Sequence, residues 1–274
     1  SLGLFISLLV ILATKKSMSA EAFANFGWRI PFLISIVMVG ISYFIRKNMD
    51  ESPVFQKAKD EGKIVANPLK ESFGKKLNFK FVLLALFGAT MGQGVVWYTG
   101  QFYALSFLQK VANIEFEQSN YIIAASLAGG TGFFIFFGWL SDKIGRKAVM
   151  LTGMLLAICT YRPIYQAMYE TADVSLKTEV AGSKVINTDY YMIPNSVDLK
   201  KTVKTEFSYT DGSTLTLEES SLTTIFPGKN PQKPEVKRIV HVGSSSFWYL
   251  ILLVFIQVLY VTMVYGPIAA FLVE

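Results

Sequence analysis

Residues 121–147 read YIIAASLAGGTGFFIFFGWLSDKIGRK. The first twenty carry no charge. At 1.5 Å per residue, a helix of that length covers about 30 Å, the hydrocarbon thickness of a bilayer. The remaining seven place Asp142, Lys143, Arg146 and Lys147 around Gly145. A membrane-crossing segment is thus followed at once by a tight, basic reversal, and the fold class expected is an all-α polytopic membrane protein.

Similar runs recur on both sides. Gly27–Ile45 (with Arg29 at its entrance), Phe81–Leu108 and Phe247–Val273 are each long enough to span. Ala148–Tyr169 is a further run, interrupted near its end by Arg162. Ser1–Thr14 is apolar but too short to cross. Ser1 falls inside that run and Glu274 directly follows another, so the reading is five whole spans and one partial span of a longer protein. Composition agrees: 52% of residues are hydrophobic and 17% charged, against about 25% charged in soluble domains.

The net charge of +6 is explained by where the basic residues sit. Arg46, Lys47, Lys57, Lys59, Lys63, Lys70, Lys75, Lys76 and Lys80 lie in one loop, and Lys143, Arg146 and Lys147 in another two spans later. Short basic loops face the cytoplasm, which makes 46–80 a cytoplasmic linker. The chain then divides into 1–45 as the end of one half bundle, 81–169 as three spans of a second, 170–246 as an insertion on the outer face and 247–274 as a further span. The loop Lys110–Asn120 sets one lysine against Glu115 and Glu117, as expected outside. Lys15 and Lys16 run against this assignment. Charge placed in this way calls for a lipid bilayer as partner and for no nucleic acid.

Residues 170–246 are polar and contain no spanning run. Thr202–Thr210 and Ser213–Leu217 flank Asp211-Gly212, a strong hairpin signal, and Glu235–Val242 suits another strand. Pro227–Pro231 marks a loop. A small β-containing extracytoplasmic domain is expected, with a disordered loop as its alternative. As a surface insertion it should be removable without loss of the bundle.

Gly138 to Lys147 fits G-x-x-x-D-[RK]-x-G-[RK]-[RK], a pattern that average residue usage places in a chain of this length about once in ten thousand. Gly138 suits close helix approach and Gly145 a tight reversal. Asp142 suits a helix start or a cation, and Arg146 and Lys147 keep the loop in the cytoplasm. A plain basic turn would explain the cations but not Asp142 and both glycines.

This stretch resembles the signature loop of the major facilitator superfamily. Gly27-Trp28-Arg29-Ile30-Pro31-Phe32, Glu51-Ser52-Pro53-Val54-Phe55 and Gly266–Glu274 resemble the metabolite:proton symporter branch. The resemblance covers the chain except 170–246, where that family has a short loop. It implies about twelve spans in two halves, of which this chain holds the fifth to the tenth. It also implies alternating access, a carboxylate, betaine or amino-acid-like solute, and a proton as second partner.

Solute contacts must come from polar groups within spans. Gln93, Trp97 and Gln101 recur every four residues and share one helix face. Gln257 and Tyr260, with Tyr265, precede Gly266-Pro267 in the last span. Such residues line a path or bond helices to one another. Arg162 either snorkels to the outer headgroups or meets an anion at the outer mouth. The spans hold no Asp, Glu or His before Glu274, so any proton relay is expected elsewhere in the protein. His241 is the single histidine, no P-loop occurs, and neither an enzyme nor a cofactor is expected. The rival function is a membrane receptor whose outer domain binds a ligand.

Overall fold

The protein is described from a computed structural model covering residues 2–49, 56–57, 60–61, 67–192, 199–223 and 234–272. It forms two compact units, Ser1–Val95 with Ala270–Glu274, and Val96–Ala269.

The first unit opens with α1 (Leu2–Lys16) and α2 (Ala20–Asn25), whose first turn is capped by Ser19 accepting from the Ala22 N–H at 3.2 Å. A 3-10 turn, Gly27–Arg29, leads into α3 (Ile30–Asn48). Pro31 stands in the first turn of α3, where its missing N–H costs nothing. Arg29 donates to Asn25 O at 2.7 Å and lies 4.4 Å from the centre of the Trp28 ring. The charge at the mouth of this span is therefore fastened to its own turn. α4 (Pro68–Gly74) begins on an Asn67 cap to the Lys70 N–H. The Glu51–Phe55 motif lies outside the described residues, as does most of the helix expected near Ser52–Asp60.

α5 (Lys76–Lys110) is one 35-residue helix shared between the units. Two π turns interrupt it, Leu86–Thr90 and Tyr98–Tyr103. The second unit continues with α6 (Phe116–Ile144), α7 (Arg146–Ala172) and α8 (Ser244–Phe271). Together with Gly27–Asn48, these are five stretches long and apolar enough to cross a membrane. The expected whole spans are all present, and Arg162 and Pro163 sit within a continuous α7 rather than ending it.

α8 is the most buried span, and it meets its neighbours at glycines. A Cβ on Gly100 of α5 would stand 3.0 Å from Val261 Cγ2. One on Gly153 of α7 would stand 2.9 Å from Met263 Cβ, and one on Gly130 of α6 would run into Val258. Lipid offers apolar helices no hydrophobic drive to associate, so close backbone contact has to supply the attraction.

Between α7 and α8 lies a four-stranded antiparallel sheet in sequence order: β1 (Val185–Met192), β2 (Leu199–Ser208), β3 (Thr214–Thr223) and β4 (Glu235–His241). Asp211-Gly212 forms the β2–β3 turn, with Gly212 at φ +79° and the Tyr209 N–H bonded to Ser213 O. β4 falls where a strand was expected, and Pro227–Pro231 lies outside the described residues. β1 was not expected. The polar run Asn187-Thr188-Asp189 interrupts its apolar alternation, and its order comes from pairing with β2 along its whole length. One face carries polar cross-strand pairs, Thr202 with Ser220 at 3.3 Å and Lys204 with Glu218 at 3.4 Å.

The sheet is bonded to the helices at its base. The Val240 N–H donates to Asn113 O at 2.7 Å, and the Glu115 N–H donates to Val240 O at 2.9 Å. Ile114 thereby pairs with β4 in parallel. The buried Gln118 amide donates to Val242 O at 2.8 Å and accepts from the Val242 N–H at 2.9 Å. His241 Nδ1 stands 2.8 Å from Glu115 Oε2. The last strand is thus bonded into the α5–α6 connection. The contacts run across more than a hundred residues of sequence, so no local pattern announces them.

Lys177 closes the hairpin, 2.8 Å from Asp211 Oδ2 and 3.2 Å from Ser213 Oγ. Burial would raise the Asp211 carboxyl, but hydrogen bonds from Lys177 and Ser213 and the lysine charge outweigh it and hold the group at about 2. A depressed carboxyl contributes stability above its unfolded value of about 3.9, lost as pH falls through the folded value. Amide exchange at Gly212 and Ser213 should therefore stay slow at pH 4 and accelerate toward pH 2. In Lys177→Met the acceleration should begin at a higher pH than in wild type.

Candidate functional site

The polar groups inside the second unit gather where α5, α7 and α8 meet. Gly100 lies within the second π turn, and a Cβ there would be 3.3 Å from Gln257 O and 3.5 Å from Tyr161 Oη. The next residue, Gln101, is 1% exposed, and neither its Oε1 nor its Nε2 has a partner. A buried polar group left unpaired costs about 1–3 kcal/mol. Gln257 is fully buried; its Nε2 points to Met168 Sδ at 3.5 Å and its Oε1 is unpartnered.

α7 presents three hydroxyls to this junction. Tyr161 Oη donates to Val96 O at 3.1 Å, Tyr165 Oη donates to Thr99 O at 2.7 Å, and Thr160 Oγ1 donates to Tyr260 Oη at 3.1 Å. The Trp97 ring packs 4.5 Å from Tyr265, which also meets Phe134 at 5.9 Å. Gln93 belongs to the first unit and is half-buried. The four-residue spacing of Gln93, Trp97 and Gln101 holds for an unbroken α-helix, whereas Gln101 lies in the π turn and the other two in the α segment before it. Trp97, Gln101, Gln257 and Tyr260 are within one unit; sequence spacing did not single out Tyr161 and Tyr165. The available signal was their i, i+4 separation, which puts both hydroxyls on one face of α7.

At the α6–α7 reversal, Gly145 adopts φ +98°, a conformation that excludes most side chains. Its N–H bonds to Ser141 O at 3.0 Å. Asp142 is exposed and faces Arg146 Nη2 at 3.3 Å, while Lys143 covers the Trp139 ring at 4.1 Å. Lys147 is exposed. Gly138 was expected to admit a neighbouring helix, but its own Cβ position is open. The steric demand sits opposite, on Gly266: a Cβ there would stand 3.2 Å from Phe134 O and 3.4 Å from the Gly138 nitrogen. Arg162 is exposed on α7.

Residues 17–167 match the family model of the Major Facilitator Superfamily. The chain belongs to that superfamily. Its relatives within the superfamily include the putative transporter YdfJ of Escherichia coli K12, 33% identical over 133 residues, 47% of this chain and 30% of the relative. A putative proline/betaine transporter of Staphylococcus aureus MSSA476 is 29% identical over 136 residues, 48% of this chain and 28% of that protein. The alpha-ketoglutarate permease of Escherichia coli K12 is 30% identical over 175 residues, 61% and 37% respectively. The chain thus aligns with about a third of the length of these superfamily relatives. No solved structure matches it. Membership, with five helices long and apolar enough to cross a membrane, makes this a chain of a multi-pass cell-membrane protein. The superfamily match ends before β1, so the sheet lies outside the matched region.

Proposed function

We propose that the chain is part of a secondary active transporter that carries a small organic solute across the cytoplasmic membrane by alternating access. The solute is of the carboxylate, betaine or amino-acid-like class, in keeping with the names of two of the relatives. The observation that carries the reading is Gln101. Its amide is enclosed among apolar helices without a partner, and a solute or a water is the chemistry that would complete it. Trp97 and Tyr260 are the further contacts of the path, and Gln257 contributes through its unpartnered Oε1. The coupling ion is a proton, and its relay lies outside these spans.

Asp142, Arg146 and Lys147, with Gly138 and Gly145, form the cytoplasmic gate loop. An ion pair as exposed as Asp142–Arg146 is worth about 0–1 kcal/mol, enough to bias two nearly balanced conformations a few-fold. On this assignment 46–80 and 141–147 are cytoplasmic, and 170–246, including the sheet, is external.

The test is uptake of labelled carboxylates, betaines and amino acids into vesicles holding the full-length protein. One class should accumulate, driven by an imposed proton gradient. Gln101→Ala should raise the KM for that solute about tenfold while the amount of inserted protein changes less than twofold. Saturable binding to the external sheet with no uptake of any class would favour a receptor instead.

A further inference from the structure

α5 leaves α-helical geometry over Tyr98–Tyr103. A π turn takes up one extra residue, so side chains beyond it are rotated by about 100° relative to an unbroken helix. Its looser backbone bonding has to be compensated from outside the helix. One carbonyl just before the turn and one within it receive that compensation: Val96 O accepts the Tyr161 hydroxyl at 3.1 Å, and Thr99 O accepts the Tyr165 hydroxyl at 2.7 Å. The tyrosines stack edge-on, 6.3 Å apart, and Tyr165 also packs against Tyr103 and Phe107 on the far side of the turn. A Cβ on Gly100 would meet Val261 and Gln257 of α8 together with the Tyr161 hydroxyl. The turn is therefore in contact with both α7 and α8, and it contains the unpartnered Gln101.

We propose that Tyr161 and Tyr165 are positioning residues, whose hydroxyls hold the π turn and thereby set the register that keeps the Gln101 amide inside the α5–α7–α8 junction. The consequence for transport rests on Gln101 lying on the solute path. Phenylalanine keeps each ring and its packing and removes only the hydroxyl. Without the two bonds, the turn relaxes to α geometry and the side chains after it change face.

The experiment uses the full-length carrier with Cys159→Ser and single cysteines placed in turn at positions 98–106. Reactivity toward a membrane-permeant maleimide is measured in wild type, Tyr161→Phe, Tyr165→Phe and the double variant. In wild type, protection should follow helical periodicity with a one-residue break at the π turn. In the double variant, the pattern beyond the turn should shift by one residue, and the solute KM should rise about tenfold with kcat within twofold. Each single variant should give a partial shift and a rise of about threefold. An unshifted pattern in the double variant, or in both singles should the double fail to insert, overturns the proposal. A shifted pattern with unchanged KM upholds the role of the tyrosines and instead removes Gln101 from the solute path.

Discussion

Gly153→Leu is expected to reduce detergent-extractable, monodisperse protein to less than about a tenth of the wild-type amount. The position has no room for a side chain. Its Cβ would lie 2.9 Å from Met263 Cβ, 3.0 Å from Val264 Cγ2 and 3.4 Å from Tyr260 O. The first and last of these atoms are backbone or fixed directly to it, so no rotamer change relieves them and α7 and α8 must separate. Overpacking a core costs about 1–3 kcal/mol when side chains yield. Here the yielding element is a whole helix, and separation also forfeits the neighbouring Thr160–Tyr260 bond and the burial of Gln257 against Met168. Gly132→Leu is the control, because nothing stands within 4 Å of its Cβ position. Size-exclusion profiles of the two variants should differ sharply. Equal recovery would mean that α7 and α8 do not cross at Gly153.

The second large effect concerns where the sheet may be cut. Replacing 181–233 with a Gly/Ser linker removes β1, β2 and β3 but spares β4, and extractable protein should stay within about twofold of wild type. Replacing 177–242 also removes Val240 and Val242, each 1% exposed, and recovery should fall about tenfold or more. The longer excision leaves the buried Gln118 amide with neither Val242 partner and the Glu115 N–H without Val240 O. An orphaned buried amide costs about 1–3 kcal/mol, and each lost valine contact adds about 1.5–3 kcal/mol. Equal recovery from both excisions would show that β4 is a bystander after all. Gln118→Leu should reproduce part of the loss with every strand in place.

The spans were legible because each depends on a property summed along a continuous stretch, an uncharged length near twenty residues, which no distant contact overrides. The β2–β3 hairpin was legible for a related reason: Asp211-Gly212 carries its own backbone preference, and its flanks alternate. The candidate site was legible only as a set of residue types. Gln101 and Gln257 stood out as amides among apolar residues, but their spacing assumed 3.6 residues per turn. The π turn at Tyr98–Tyr103 breaks that period without any residue that announces it.

By itself the sequence determined the Gly138–Lys147 loop, five helices long and apolar enough to cross a membrane, and the turn that orders the sheet. Each of these follows from local chemistry: a run too apolar for water, a glycine at positive φ, a lysine and arginine bias. The tertiary structure alone decided the rest. It put the steric demand at Gly266 rather than Gly138, joined β4 to the Asn113–Glu115 connection, and brought the hydroxyls of Tyr161 and Tyr165 to the carbonyls of α5. Those outcomes depend on which backbone lies opposite which after the helices pack, a matter of distances between residues 65 to 132 positions apart, where sequence pattern carries no signal.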